Sequence, residues 1–354
     1  MIKINNIKTF VELGHFLSQF NKNGTEKKEN VLLNDEYYEA FIELIHRAQS
    51  LNGWFTPEQV FFAIQSWATA LTEKNLTTWL TNYAIPEVNT APKTIGLILA
   101  GNIPLVGFHD FLSVLLTGNK ALVKLSSNDQ NLLPFLASYL VRINPELASK
   151  IEFVKGKLEG FDAVIATGSN NTARYFDYYF SNVPNIIRKN RNSVAILTGN
   201  ETLEDLVALG DDIFTYFGLG CRNVSKLFVP ENYDFKLFFE AMYAHKDVIY
   251  YEKYANNYDY NKAVFLMSLF KLLDNEFMTL KEDQGYGSPI SSVFYERYTN
   301  LDAILERLAA DQDKIQCVVS KQIQPNHIYF GQTQHPKLWD YADNVDTIEF
   351  LLKI

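Results

Sequence analysis

Short strand patterns alternate with helix patterns along the sequence from Lys93 to Leu197, and this alternation constrains the fold more than any other feature. Apolar runs of about five residues predict strands, and apolar residues at helical spacing predict the helices between them. The predicted strands are residues 94–100, 121–125, 151–154, 162–167 and 193–197, and the predicted helices are residues 108–117, 131–143 and 172–179. The pattern predicts an α/β fold whose mostly parallel sheet is covered on both faces.

The rest of the chain is organised around this segment. Residues 1 to about 90 are predicted to be helical, and Thr56 to Gln59 has the sequence of a capping box with proline at the first helical position. A second α/β segment is predicted from Asn192 to Tyr329. The tail that follows ends in DTIEFLLKI, which we interpret as a strand.

Composition excludes several classes of protein. A chain of 354 residues with 47% hydrophobic residues is long enough for two domains or one large α/β assembly. The net charge of −9 argues against a general nucleic-acid surface. Two distant cysteines form neither a disulfide framework nor a zinc site, and we find no apolar leader or long uncharged apolar stretch. We therefore expect a cytoplasmic protein with no metal, no membrane span and no nucleic-acid partner.

One cysteine lies in a sequence that suits a nucleophile. Cys221 follows two glycines in FGLGCRN, directly ahead of the strand-like VSKLFVP, and Arg222 could favour its thiolate. The alternative is that Cys221 is a buried apolar residue, as free cysteines often are. Cys317 lies within an apolar run and is predicted to belong to the core.

Polar residues follow three of the predicted strands, where parallel sheets bind their ligands. Asn102 could donate its amide to an oxyanion, or could simply form a turn. Lys124, Ser126 and Ser127 offer a cation and two hydroxyls for ribose or phosphate, although Lys124 could be a solvated strand end. Gly168 and Ser169 precede a helix whose N-terminus would suit a phosphate, but they could also be an ordinary cap.

The order of these segments, AGNIP, VKLSS, ATGS and FGLGC, resembles the order of sites in the aldehyde dehydrogenase superfamily. Within it the chain looks most like the LuxC-type acyl-CoA reductases, the fatty-acid reductase branch associated with bacterial luminescence. GSPISSVFYERY and FGQTQHPKLWDYADNVDTIEFLL resemble later blocks of that family. The resemblance covers roughly residues 90–354.

This resemblance implies a fold, domains and residue roles. It implies an aldehyde dehydrogenase-like architecture with a Rossmann-type cofactor domain (1–191), a catalytic domain (192–329) and a tail strand (330–354) that returns to the body or to a partner subunit. It implies that Cys221 is the nucleophile and that Asn102 completes the oxyanion hole. The cofactor-binding residues it implies are Lys124, Gly168 and Ser169, and the hydroxyls of Ser126 and Ser127 are added to them as candidate ligands of the cofactor.

Two departures from the superfamily pattern bear on the direction of the reaction. Oxidation of an aldehyde needs a general base to hydrolyse the thioester, and the superfamily supplies a glutamate for this purpose. In this chain Arg188 stands about where that glutamate would be, and no carboxylate lies between Pro184 and Thr198. Reduction needs no such base. The glutamate that holds the nicotinamide ribose is also replaced, because Gly285 lies four residues before Pro289. Glu282 and Asp283 are candidate substitutes.

The resemblance and its departures together predict NADPH-dependent reduction of a long-chain acyl-CoA or acyl-protein thioester to its aldehyde, with NADH as the other candidate cofactor. Aldehyde oxidation and a non-catalytic acyl-CoA-binding or nucleotide-binding homologue are the alternatives. Expected partners are acyl-transferase or synthetase proteins and further copies of the chain. His109 and His245 are treated as structural residues, although His245 could assist the thiolate or protonate the leaving sulfur.

Overall fold

The computed structural model describes residues 4–321 and 323–354, which form two compact units. One unit contains the described residues up to Lys189 together with Lys337–Ile354, and the other is Asn190–Pro336. Residues 1–3 of the predicted cofactor domain and residue 322 of the predicted catalytic domain lie outside the described residues.

The first unit begins with helices, as predicted. The helix that starts at Pro57 is capped by Thr56, whose Oγ1 accepts a hydrogen bond from the backbone N–H of Gln59 at 3.4 Å. A pair of two-residue strands, β1 (Phe20–Asn21) and β2 (Gly24–Thr25), separates the first two helices. The four helices are α1 (Ile4–Leu17), α2 (Asn34–Leu51), α3 (Pro57–Ala70) and α4 (Glu73–Leu80).

A five-stranded, fully parallel sheet follows, with the order β5-β4-β3-β6-β7. Its strands are β3 (Thr94–Ile98), β4 (Lys120–Lys124), β5 (Ile151–Phe153), β6 (Ala163–Thr167) and β7 (Asn185–Arg188), and the intervening helices are α5 (Phe108–Leu116), α6 (Leu132–Ile143) and α7 (Asn170–Tyr179), with a 3₁₀ turn at Pro145–Ser149. The predicted parallel α/β sheet is therefore confirmed.

Both faces of this sheet are buried, which explains the continuous apolar runs of its strands. On one face Ile95, Leu97 and Val123 belong to the large core shared with the N-terminal helices. On the other face Leu122 and Val164 belong to a smaller apolar cluster. The sheet thus has a helical layer on each side, and the edge at which its strands end is the edge where sheets of this kind bind their ligands.

The second unit contains a six-stranded sheet with the order β10-β11-β12-β9-β8-β13, in which only the edge strand β10 is antiparallel to its neighbour. Its strands are β8 (Asn192–Ile196), β9 (Val224–Pro230), β10 (Leu272–Asp274), β11 (Thr279–Glu282), β12 (Ser292–Tyr298) and β13 (Ile315–Val319). Its helices are α8 (Leu203–Phe214), α9 (Lys236–Met242), α10 (Glu252–Met267) and α11 (Leu301–Ala310), with 3₁₀ segments at Thr215–Gly218 and Tyr243–Tyr250.

The predicted C-terminal strand is wrong, because the tail forms a short helix, α12 (Thr347–Lys353), after a 3₁₀ turn at Ala342–Asn344. Asp346 caps the helix by accepting the backbone N–H of Glu349 at 2.8 Å. Ile348 and Leu351, three residues apart, are buried in the core of the first unit, as an amphipathic helix requires. None of the helices among the described residues is both long and apolar enough to span a bilayer.

Candidate active site

The ends of β3, β4 and β6 lie side by side in the first unit. Ile98 at the end of β3 is paired with Lys124 on one side and with Ala166 on the other. The chain runs from β3 to β4 on one side and later returns to β6 on the opposite side, so a topological switch point lies between β3 and β6. The structure therefore brings the three predicted strand-end segments to one edge of the sheet, at the place where such sheets bind ligands.

Asn102 is exposed in the loop that joins β3 to α5. The residue before it, Gly101, touches the loop after β4, because a Cβ at this position would lie 2.8 Å from Cβ and Oγ of Ser126. Only glycine leaves room for the Ser126 side chain this close to the backbone of residue 101. The segment that carries Asn102 is thus held directly beside the segment that carries Ser126.

A buried carboxylate, which sequence reasoning missed, ties the same two loops together. Asp129 is 8% exposed and accepts the backbone N–H of Leu105, which has a left-handed backbone (φ 57°), at 3.2 Å. Burial raises the pKa of Asp129 to about 6, against the effect of backbone donors that include Leu105. Its only sequence signal is an acidic residue shortly after a predicted strand end.

The predicted ribose-binding group lies at the end of β4. Lys124 and Ser126 are half-buried, and Ser127 is exposed. The Ser126 hydroxyl accepts the backbone N–H of Asn128 at 3.2 Å, which shapes the turn. Beside this turn is a cavity of about 120 Å³ lined by Ser127, Asp129 and apolar residues of α2 and of the connection to α3, among them Leu44, Ala48, Leu51 and Phe55.

Ser169 is the N-cap of α7, as one of the two sequence interpretations proposed. Its Oγ accepts the backbone N–H of Thr172 at 3.3 Å and is 2.9 Å from the Thr172 hydroxyl. Gly168 is packed closely, since a Cβ there would lie 3.0 Å from side-chain atoms of Phe176 and Thr172. The cap and an anion site are compatible, because the N–H groups of a helix N-terminus point outward from the sheet edge.

Cys221 is exposed at a turn in the second unit, between α8 and β9. The approach to this turn is unusual, because Tyr216 (φ 53°), Phe217 (φ 58°) and Gly218 (φ 76°) are left-handed in succession. Non-glycine residues rarely adopt this conformation, and strained backbone of this kind clusters at functional sites. The alternative of a buried structural cysteine does not describe Cys221.

Two further residues bind the backbone around Cys221, and sequence reasoning did not identify either of them. Ser193, fully buried in β8, donates its hydroxyl to the Cys221 carbonyl oxygen at 2.9 Å. The Asn223 side chain, 3% exposed, accepts the Gly220 N–H at 2.8 Å. Both are polar residues close to an expected turn or strand end, which is a weak signal in a sequence.

The cation that was expected to favour the Cys221 thiolate also contacts the other cysteine. Arg222 Nη1 lies 3.5 Å from Sγ of Cys317. Cys317 is buried in β13, as predicted, and burial raises the pKa of its thiol, an effect that the nearby Arg222 charge opposes. The guanidinium of Arg222 therefore acts on the buried Cys317 thiol, whose pKa it lowers against the larger effect of burial.

Arg188, which stands about where the superfamily's general base would be, is a buried structural cation of the first unit. Its Nη2 donates to the carboxylate of Asp110 at 2.7 Å and to the hydroxyl of Thr347 at 3.0 Å. These bonds link the end of β7 to α5 and α12. Arg188 therefore supplies no group able to remove a proton from water.

The two histidines considered from the sequence have structural partners. His109 Nε2 is 2.8 Å from the carbonyl oxygen of Leu338, and its ring packs against Trp79. His245 Nε2 is 3.2 Å from the carbonyl oxygen of Val207, and its ring stacks on Phe214. These contacts favour the structural interpretation of both residues.

The candidate substitutes for the nicotinamide-binding glutamate follow β11. Asp283 forms an ion pair with Lys281 and accepts the N–H of Gly285 at 2.8 Å, which shapes the turn after the strand. Glu282 is exposed at the end of the strand. Of the two, Glu282 is the more accessible to a ligand.

Solved structures of aldehyde dehydrogenases share this fold. Aldehyde dehydrogenase 21 from Physcomitrella patens, solved with the reaction product succinate, aligns with a TM-score of 0.63 at 12% identity, covering 97% of this chain and 84% of that one. An aldehyde dehydrogenase from Mycobacterium tuberculosis, solved with NAD+, aligns with a TM-score of 0.59 at 12% identity, covering 89% of this chain and 73% of that one. The aldehyde dehydrogenase KauB from Pseudomonas aeruginosa aligns with a TM-score of 0.58 at 12% identity, covering 89% and 71%. The predicted aldehyde dehydrogenase-like fold is thus confirmed.

Sequence comparison identifies the family within that fold. No curated protein sequence matches the chain significantly. The sequence profile of the acyl-CoA reductase (LuxC) family matches residues 34–248, which include both the strand-end segments of the first unit and Cys221. This match covers more than half of the chain and confirms the predicted resemblance. The protein therefore belongs to the acyl-CoA reductase (LuxC) family of oxidoreductases.

Proposed function

We propose that this protein reduces a long-chain acyl thioester, acyl-CoA or an acyl-protein, to the aldehyde with NADPH, through an acyl group carried on Cys221. The observation that carries the proposal is that Cys221 is exposed in a chain of the acyl-CoA reductase family. Its turn is held by hydrogen bonds to the Cys221 carbonyl and to the Gly220 N–H. A thiol on a rigid turn is suited to covalent catalysis.

The residues at the sheet edge of the first unit fit a nicotinamide dinucleotide. Lys124, Ser126 and Ser127 offer a cation and two hydroxyls for the ribose and its phosphate, and the α7 N-terminus at Gly168 and Ser169 offers backbone donors for the pyrophosphate. A bound NADPH would supply a hydride. The structural relative from Mycobacterium tuberculosis was solved with NAD+, which agrees with this class of cofactor.

The proposed reaction has two halves. The Cys221 thiolate attacks the thioester carbonyl, a carbon–sulfur bond to Cys221 forms, and the bond to the CoA sulfur breaks, with CoA leaving as a thiol after it takes a proton. A hydride supplied by bound NADPH to the acyl carbon would then give the anion of a thiohemiacetal, which collapses to free aldehyde and regenerates the Cys221 thiolate. We assign to the Asn102 amide the stabilisation of the negative oxygen in both halves, a role taken from the superfamily resemblance.

Reduction is proposed over oxidation because the position of the expected base holds Arg188, which is buried and paired with Asp110. Without a base at this position we expect water to attack the acyl group on Cys221 slowly, so that the group persists until a hydride is delivered. A thiol such as CoA can still remove it, because transfer between thiols needs no activated water.

The product balance tests this function. Purified protein is mixed with palmitoyl-CoA and NADPH, and NADPH loss, free CoA and trapped aldehyde are measured together. The proposal predicts equal amounts of all three, no turnover in Cys221→Ala and near-normal turnover in Cys317→Ala. Release of CoA with fatty acid instead of aldehyde, or turnover in Cys221→Ala, would contradict it.

A further inference from the structure

Asn223 closes the turn that carries Cys221 through its backbone and through its side chain. The backbone N–H of Asn223 donates to the carbonyl oxygen of Gly220 at 3.0 Å, which defines a four-residue turn with Cys221 at its second position. The backbone N–H of Gly220 in return donates to Oδ1 of Asn223 at 2.8 Å. Gly220 is thus bound through both its N–H and its carbonyl, directly before the thiol.

The same side chain also holds the end of the preceding helix. Asn223 Nδ2 donates to the carbonyl oxygen of Thr215 at 2.7 Å and lies 3.1 Å and 3.3 Å from those of Asp212 and Ile213. These carbonyls belong to the last turn of α8 and the residue after it, where helices leave carbonyl groups without intrahelical partners. Asn223 therefore joins the end of α8 to the turn around Cys221.

The segment between these two attachments is strained. Tyr216 and Phe217 are both left-handed, at a cost on the order of 1 kcal/mol or more each. Such a conformation persists only where its surroundings enforce it. The Phe217 ring packs against Tyr251 at 5.0 Å between ring centroids, and the Asn223 amide holds Thr215 immediately before the strained pair.

A third attachment comes from the sheet. Ser193 in β8 donates to the Cys221 carbonyl oxygen at 2.9 Å and is fully buried. The backbone of Cys221 is therefore fixed relative to α8 through Asn223 and relative to β8 through Ser193. Neither side chain is a nucleophile, an acid or a base under ordinary conditions, so their contribution is geometric.

We infer that Asn223 is the positioning residue of this enzyme, which sets the attack geometry of the Cys221 thiol by locking the strained segment between α8 and the turn. The inference rests on the proposed acylation of Cys221. Misplacement of a reacting group by about 1 Å can cost about 10²-fold in rate. We therefore expect loss of this lock to slow acylation much more than it changes access to the thiol.

The experiment compares two reactions of the same thiol in the full-length protein. Acylation by palmitoyl-CoA requires a defined attack geometry, whereas alkylation by iodoacetamide requires mainly access, and mass spectrometry locates each adduct on Cys221. We expect the ratio of the two rates to fall at least about tenfold in Asn223→Ala and Asn223→Asp. NADPH affinity, measured by fluorescence titration, should stay unchanged.

The aspartate variant adds a pH signature that a general packing defect would not produce. An ionised carboxylate at residue 223 would face the carbonyl oxygens of Thr215, Asp212 and Ile213, whereas a protonated carboxyl can donate to one of them. The rate ratio of Asn223→Asp, relative to wild type at the same pH, should therefore recover as the pH falls. The ratio of Asn223→Ala should show no such recovery.

Two further variants separate position from stability. Asn34, a buried asparagine of the first unit that hydrogen-bonds Gln19 and Lys28, gives a matched control, because Asn34→Ala should lower the melting temperature without changing the rate ratio. If the Asn223 variants do not fold, Ser193→Ala removes the hydrogen bond to the Cys221 carbonyl, together with a contact to the Cys317 thiol, while Asn223 keeps its own bonds, and it should also lower the ratio.

The outcomes distinguish this inference from the proposed function. If the wild-type protein is acylated and the ratio of acylation to alkylation rates is unchanged in folded Asn223 variants and in Ser193→Ala, the positioning role is overturned. The proposed function then remains intact. A wild-type protein that is alkylated but never acylated overturns the function. In that case the positioning role, which is defined by the rate of acylation, is overturned together with the function.

Discussion

The guanidinium of Arg188 donates to the buried carboxylate of Asp110 at 2.7 Å, at the point of the chain where the superfamily pattern leads one to expect a general base. Both side chains are more than nine-tenths buried. Removing one partner of such a pair leaves an uncompensated buried charge, which is strongly destabilising. The role of Arg188 is therefore to stabilise the fold.

This pair leads to the first prediction, that water attacks the acylated enzyme slowly. Given an aldehyde and oxidised cofactor, the protein should form little free fatty acid, and turnover should rise when CoA is supplied as the acceptor of the acyl group. Parallel assays with and without CoA make the comparison. Rapid formation of fatty acid in the absence of CoA would instead support aldehyde oxidation.

The second prediction concerns the oxyanion. Replacing Asn102 with alanine should lower turnover by about 10² to 10³ with little change in cofactor affinity, because the amide is proposed to act only on the charge that develops during reaction. Asn102→Asp should be at least as harmful, since it adds a negative charge. Steady-state rates and cofactor titration check this, and near-normal turnover in both variants would make Asn102 a turn former.

The third prediction concerns the choice of cofactor. Ser127, three residues after Lys124, is exposed at the sheet edge, where NAD-preferring relatives of the superfamily are expected to carry a glutamate. Serine does not repel a 2′-phosphate, so NADPH should be at least as good as NADH. Ser127→Glu should shift the preference toward NADH and leave acylation of Cys221 unchanged.

Steady-state rates with both cofactors, for wild type and Ser127→Glu, measure this shift. The variant is surface-exposed, so its melting temperature should match that of wild type. An unchanged ratio of NADPH to NADH rates would remove the segment after β4 from the cofactor site.

The fourth prediction concerns stability and pH. Asp212 is fully buried on α8, and burial raises its pKa from 3.8 to about 6, although it accepts hydrogen bonds from Thr333 and Gly331. Because the folded pKa is raised, its stabilising contribution is complete below pH 3.8 and is lost as the pH rises through about 6. The difference corresponds to about 3 kcal/mol.

Urea unfolding of wild type and Asp212→Asn at several pH values tests this sign. The free energy of unfolding of wild type, relative to the variant, should fall by up to about 3 kcal/mol between pH 4 and pH 8. Asp205 on the same helix has a pKa lowered to about 2, because its hydrogen bonds to Lys321, Thr202 and Tyr329 outweigh burial. Asp205→Asn should therefore show the opposite trend at low pH.

The order of strands and helices could be predicted from the sequence because it depends on local periodicity. The run at residues 94–100 is strand β3 in the structure, and the Thr56 cap begins α3 where the capping pattern places it. The tail was misjudged because a short apolar run fits either a strand or a helix. Only the packing of Ile348 and Leu351 on one core decides between them.

The candidate site could be predicted only in part, because the sequence locates chemical groups but not their partners. Cys221 and Asn102 stood out by residue type and by neighbouring glycines. Asp129 and Asn223 did not, since each acts through hydrogen bonds to backbone groups that the fold brings near. The left-handed Phe217 is contrary to local preference and so could not be expected from propensity.

The most direct test of the account is the intact mass of the protein after mixing with palmitoyl-CoA in the absence of any cofactor. We predict an increase of one palmitoyl group, located on Cys221 by peptide mass, absent in Cys221→Ala and unchanged in Cys317→Ala. An adduct on Cys317 alone, or full reductase activity in Cys221→Ala, would contradict the account.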